Sequence, residues 1–149
     1  DLYQYSQLTD RQIDYYVDYY LGLVNLDLLT FVMDKDDNLV GLGIALPSLS
    51  RGLQKAQGRL LPFGWYHLLK ALKGKNDRVD LLLVAVHPDY QNRGVNALMF
   101  QDLLPHFIRL GFKYAETNPE METNAKVQSQ WEVFNPRQHR RRRSYAKDI

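Results

Sequence analysis

The first helical period begins after Thr9 or Asp10, either of which can cap it. It runs through Ile13, Tyr16, Val17, Tyr20, Leu21 and Val24 at three-to-four spacing. This predicts a helix with one buried face, rimmed by the tyrosines of DYYVDYY. The period then shortens. Leu28–Met33 and Leu39–Leu46 are apolar runs separated by the turn-forming DKDDN, which predicts an antiparallel hairpin ended by Pro47. Gly41 and Gly43 lie inside the second strand, where missing side chains let another element approach. Between Ser48 and Asn76, SLSRGLQKA and WYHLLKALK read as two short helices divided by Pro62 and Gly64. Val79–Val86, VDLLLVAV, predicts a central strand buried on both faces and interrupted only by Asp80. Helical spacing returns at Val95, Leu98, Met99, Leu103 and Leu104, with Pro105 as a kink and Gly111 as a stop. A short strand at Tyr114–Thr117, a helix over Thr123–Phe134 and a final strand at Arg140–Ala146 complete the pattern. The order α-β-β-αα-β-α-β-α-β predicts an α/β (α+β) fold around a mixed sheet.

The chain has 149 residues, enough for one core, so a single domain over residues 1–149 is expected. Its 45% hydrophobic and 24% charged residues are an ordinary globular mix. No apolar run is long enough to cross a bilayer as a helix. Cysteine is absent, which excludes disulfides, thiolate metal sites and cysteine nucleophiles. The histidines are dispersed without ligand spacing, so no metal is expected. The chain opens on Asp1 without Met or a leader and reads as a C-terminal piece of a longer protein. Residues 137–149 hold six basic side chains and one acidic, so the remaining 13 basic and 16 acidic residues leave a body of net charge −3. A protein that binds a polyanion over its whole surface is basic throughout, and nucleic acid is therefore not an expected partner.

The segment Gln91, Asn92, Arg93, Gly94, Val95, Asn96 and Ala97 stands between a strand and a helix. A helix start leaves N–H groups unpaired and carries partial positive charge. Gly94 lets the backbone approach a bound group, and Arg93 adds a fixed charge. Together these can seat a pyrophosphate; a plain strand-to-helix turn is the other reading. VAVHPDYQNRGVNALM resembles the acyl-CoA-binding motif of the GNAT superfamily of N-acetyltransferases, whose loop reads Q/R-x-x-G-x-G/A. Here Gln91 and Gly94 match and Asn96 replaces the second small residue. A second family pattern, N-x-x-A-x-x-x-Y, is met by Asn124, Val127 and Trp131, with Phe134 following. The likeness covers about residues 28–147, lacks the family's first strand, and carries a helical insertion at about 48–76. It extends to the C-terminal part of longer bacterial members.

The resemblance implies acetyl-CoA or another acyl-CoA as donor, with its arm along Val84, Ala85 and Val86 and its pyrophosphate on Gln91–Ala97. It implies that Asn124 holds the arm, and that a small-molecule amine or peptide attacks the donor directly in a ternary complex. Asp80 stands eleven residues before Gln91, where some members carry a glutamate base, and Glu116 lies near the acceptor's entry. Burial in an apolar strand would raise the pKa of Asp80 into a useful range; the other reading is an Asp at a strand start, exposed or paired with Arg78. Trp131 replaces the family's Tyr, and an indole N–H is a poor acid. Two other readings stay open: a catalytically silent acyl-CoA- or partner-binding module, and a transferase using aminoacyl-tRNA or a long acyl chain. The resemblance also implies a cytoplasmic protein whose open sheet edge is covered by an upstream domain or by a second copy in a homodimer.

Overall fold

A computed structural model describes residues 8–21 and 24–146, and its contacts gather in two compact units, Asp1–Glu116 and Thr117–Ile149. In the first unit, α1 (Asp10–Leu21) precedes the hairpin of β1 (Leu29–Met33) and β2 (Leu39–Pro47). Then come α2 (Ser50–Ala56), α3 (Gly64–Lys73), β3 (Arg78–Val86), α4 (Val95–Arg109) and β4 (Tyr114–Thr117). The sheet runs β1-β2-β3-β4, antiparallel for its first two pairs and mixed as a whole. The β3-α4-β4 crossover therefore makes the last pair parallel. Among the described residues β1 is an outer strand, with Phe31 and Met33 exposed.

The turn between β1 and β2 is organised by Asp34. Its Oδ1 accepts from the backbone N–H of Asp36 and of Asn38, both at 2.9 Å, and the Asn38 amide donates to Oδ2 at 3.1 Å. β2 presents Gly41, Gly43, Ala45 and Pro47, all buried, to one face. α4 lies across that face with Val95, Met99 and Leu103 spaced four apart and buried. A Cβ on Gly41 would sit 2.6 Å from Val95 Cγ1, so the closely approaching element is α4 itself. Pro105 is accommodated within α4, and Gly111, at φ 82°, follows it as expected.

Several expectations are corrected. The helix α1 forms, but Ile13, Tyr16 and Val17 are exposed; periodicity identifies an apolar face and says nothing of what covers it. Tyr20 and Leu21 have side chains outside the described set. β3 is central but not buried on both faces, because Leu82 and Leu83 are 41% and 42% exposed. In the second unit the predicted helix is reduced to α5 (Ala125–Ser129) and a 3-10 turn at Glu132–Phe134. No strand forms over 140–146, where Arg141 instead pairs with Glu122. Consecutive arginines have no apolar alternation to bury and therefore no strand to join.

Candidate active site

The loop after β3 is built by turn chemistry. His87 N–H donates to Val40 O at 2.9 Å, and His87 Nδ1 accepts from Asp89 N–H at 3.3 Å, so this histidine caps a turn. Asn92 and Gly94 then adopt left-handed conformations, φ 60° and 82°, and α4 begins at Val95 with no side chain capping it. A Cβ on Gly94 would meet no protein atom within 4 Å, so the glycine serves its φ angle and leaves open space over the helix start. Gln91, Asn92, Arg93 and Ala97 are exposed, while Val95 is buried as the anchor of α4. Asn96 is half-buried, with its Oδ1 turned away from solvent rather than toward the space over Gly94. A helix start without a side-chain cap, an open glycine and a guanidinium together fit the phosphates of a CoA.

Tyr90 ties this loop to the β1–β2 turn. Its hydroxyl donates to Asp34 Oδ2 at 2.9 Å, and the Arg93 guanidinium lies 5.5 Å from the Tyr90 ring centre. The Asn38 backbone and side-chain N–H groups, aided by Tyr90, hold the Asp34 carboxyl down at about 2. The hydrogen bond to Asp34, with some loss of solvent and the carboxylate's charge, in turn pushes the Tyr90 phenol above its ordinary value. Nothing in the sequence points to this pair; a tyrosine in the loop and an aspartate in a turn 56 positions away carry no joint signal.

An apolar cleft of about 280 Å³ opens beside the loop, lined by Leu39–Leu42, Ala85–Pro88 and Gln91. It brings together three of the expected donor-binding residues, Ala85, Val86 and Gln91, and Val84 stands next to them on β3. Two features make that part of β3 special. First, β4 begins level with Asp77, whose carbonyl accepts from the N–H groups of Lys113 and Tyr114, and it is only four residues long. It cannot follow the nine residues of β3, so the Leu83–Val86 stretch extends past its reach. Second, the β2–β3 register shifts between Ile44↔Leu83 and Ala45↔Leu81, which makes Leu82 the extra residue of a bulge.

The bulge decides where Asp80 points. Directly paired residues share a face, so Val84 and Val86, opposite Gly43 and Gly41, face α4. Asp80 pairs with Leu46, on the face away from α4 that also carries Leu83 and Ala85. Asp80 is half-buried with Oδ1 shielded from solvent, and Arg78 lies instead over the Tyr114 ring at 5.1 Å. Glu116 is half-buried on β4. Asn124 belongs to the second unit, where its side chain caps α5 by accepting from Val127 N–H at 3.4 Å. In that unit Trp131 Nε1–H donates to Glu120 Oε1 at 2.7 Å. Among the described residues no three His, Asp or Glu side chains gather as a metal site, and no helix is long and apolar enough to cross a membrane.

Comparison with known proteins gives the same outline. Residues 2–132 match the profile of the acetyltransferase (GNAT) family. The chain is 26% identical over 128 residues to Protein YghO of Escherichia coli strain K12, covering 83% of this chain but only a third of that protein's length. The solved structure of AAC(6')-Iy with a bisubstrate analogue of CoA superposes with a TM-score of 0.60 at 15% identity, over 97% of this chain and 84% of that one. The acetyltransferase of Trypanosoma brucei superposes at 0.55 and 15% identity, over 98% and 85%. The two structural likenesses establish the fold; the profile match over most of the sequence establishes more, and the chain belongs to the GNAT family of acetyltransferases, whose acyl donor is acetyl-CoA.

Proposed function

We propose that the first unit is an acyl-CoA-dependent N-acyltransferase that passes an acetyl group to an amine by direct attack in a ternary complex. The observation that carries this reading is the stretch Leu83–Val86: strand backbone beyond the reach of β4, running straight into the open, uncapped start of α4. Bound there, the donor would supply an activated thioester carbonyl. The backbone N–H groups of Val95–Ala97, with Gln91, Asn92 and Arg93, hold its phosphates at the helix start. Val84–Val86 offer strand backbone to the arm, and an N–H of that stretch polarises the carbonyl oxygen. An amine attacks only when neutral, and Asp80 takes its proton from the face away from α4, with Glu116 the second carboxylate for that role; as the C–N bond forms the C–S bond would break, and CoA would leave as a thiolate protonated by water. Cysteine is absent from the sequence, in keeping with attack without a covalent enzyme intermediate. The acceptor is a small-molecule amine or a peptide amine, and the reaction is cytoplasmic.

A second reading is a silent acyl-CoA-binding module. Trp131 favours it, since its indole N–H is committed to Glu120 and no phenol stands at that position. Calorimetry with acetyl-CoA, wild type beside Gly94→Trp, tests the seat: the bulky side chain fills the open space at φ 82°. Binding that disappears in the variant supports the seat. Release of free CoA from acetyl-CoA in the presence of mixed amines then separates enzyme from module. Absence of binding at millimolar acetyl-CoA would overturn both.

A further inference from the structure

The α2–α3 hairpin has a composition unlike the rest of the chain. No Asp or Glu occurs between Asp37 and Asp77, while Arg51, Lys55, Arg59, Lys70, Lys73 and Lys75 fall within it. Arg51 is neutralised by Asp77, its guanidinium contacting the carboxylate at 2.9 and 3.4 Å. The other five face no carboxylate within ion-pair distance among the described residues and are exposed. Between them stands an apolar tip: Leu60, Leu61 and Phe63 are 60%, 79% and 71% exposed. Trp65, Tyr66 and Leu69 continue it along α3.

The tip is held firmly. Trp65 N–H donates to Leu60 O and Trp65 Nε1–H to Pro62 O, both at 3.0 Å. Gly52 lets α2 close on α3, where a Cβ would lie 3.0 Å from His67 O, and the Asn76 amide ties the base of the hairpin to Ser48 O and Ala71 O. An ordered tip that keeps three large apolar side chains in water marks a contact surface. Its composition selects the partner. Protein interfaces are depleted in lysine, and this surface carries four lysines with charge of one sign. Trp and Tyr beside apolar side chains, ringed by Lys and Arg, match a lipid headgroup boundary, where the rings straddle the interface and the long cationic stems reach the phosphates.

We propose that the α2–α3 tip docks the protein on an anionic lipid surface. The tip inserts at headgroup depth, while Lys55, Arg59, Lys70, Lys73 and Lys75 neutralise lipid phosphates. The hairpin joins the end of β2 to the start of β3, whereas the Gln91–Ala97 loop follows the end of β3. Nine strand residues, roughly 30 Å, separate the base of the hairpin from that loop. The proposal goes beyond the acyl-transfer reading and stands without it.

Cosedimentation of the 149-residue chain with vesicles of phosphatidylcholine alone, or mixed with phosphatidylglycerol, tests it. The expected result is binding at least tenfold tighter to the mixed vesicles, weakened as salt rises. A blue shift of Trp65 emission, read in a Trp131→Phe background, should accompany it. Leu61→Ser/Phe63→Ser and Lys70→Glu/Lys73→Glu should each lose at least tenfold while keeping the wild-type Tm, since all four side chains are exposed. Equal binding to both vesicles, or binding indifferent to the tip variants, overturns the proposal. So does self-association in centrifugation that the same variants abolish without any vesicle binding, which would make this face an interface between copies, with the acidic, exposed α1 as its natural counterpart.

Discussion

Replacing Gly41 by Ala tests whether the packing of α4 on β2 sets the position of the donor seat. The new Cβ would lie 2.6 Å from Val95 Cγ1 and 3.1 Å from Val32 Cβ, where ordinary contact begins at 3.4 Å. The shortfall toward Val95 is therefore 0.8 Å. Val95 is buried and β-branched, so its side chain has no free rotamer to retreat into, and Val32 blocks a shift toward β1. The strain is relieved by lifting the first turn of α4, the turn whose N–H groups are assigned to the phosphates. Overpacking of this kind costs about 1–3 kcal/mol. Some 0.5–1 kcal/mol is recovered because Ala has less freedom to lose than Gly. A net loss of about 0–2.5 kcal/mol lowers Tm by roughly 2–4 °C per kcal/mol in a chain of this size.

Displacing a binding group by most of an ångström should raise the Kd for acetyl-CoA on the order of tenfold. Gly43→Ala is the control, because its Cβ would press on Thr30 Cγ2 at 2.7 Å, and only reach Leu103 and Met99 at ordinary contact distances. It should lower Tm and leave acetyl-CoA affinity near that of wild type. The double variant Gly41→Ala/Val95→Ala removes the clashing methyls and should be more stable than the two single losses sum to. Calorimetric Kd and thermal unfolding of the five proteins decide it. A Gly41→Ala protein with reduced Tm but unchanged Kd would refute the link between helix packing and donor seat. Strict additivity in the double variant would refute the clash itself.

The remaining predictions concern charge. Asp80→Asn should lower kcat for acetyl transfer by about 10²–10⁴ and remove the acidic limb of the kcat/KM profile, whereas Glu116→Gln should leave that limb in place if Asp80 is the base; the reverse pattern in the pH–rate curves assigns the proton to Glu116. Asp34 has a folded-state value of about 2 against 3.8 for the free side chain, so its contribution to stability is complete above pH 3.8 and is lost as pH falls toward 2. Thermal unfolding across that window should therefore show a slope that Asp34→Asn flattens. Tyr90→Phe should move the same titration upward by less than loss of the Asn38 contacts would, and should weaken acetyl-CoA binding without changing KM for the amine; equal effects on both substrates would argue against a positioning role. Arg51→Ala breaks a pair in which the arginine side chain is 61% exposed, and should cost no more than about 0.2–1 kcal/mol by denaturant unfolding.

Much of this fold is legible in the sequence because its signals are local. A turn cluster between two apolar runs, a change of period at Val95, and a glycine ahead of a helix each act within a few residues, and the structure has the hairpin, α4 and the left-handed Gly94 where they point. What escapes is long-range. Strict alternation along Val79–Val86 puts Asp80 on the same face as Val84 and Val86, which pack toward α4. A carboxylate there would be trapped in the core with no path to a substrate. The single extra residue at Leu82 reverses the phase, because a slip of one position turns every later side chain to the other face. Three consecutive leucines give no local sign of which one bulges; that choice is made by the pairing of β2, through the glycines that α4 packs against. The same glycines thus set two features of the proposed site at once. They fix the height of the α4 N-terminus over the sheet, and they hold Val84 and Val86 to that side, which leaves the bulge to absorb the mismatch and turn Asp80 to the opposite face. On this argument the donor seat and the base are coupled through β2.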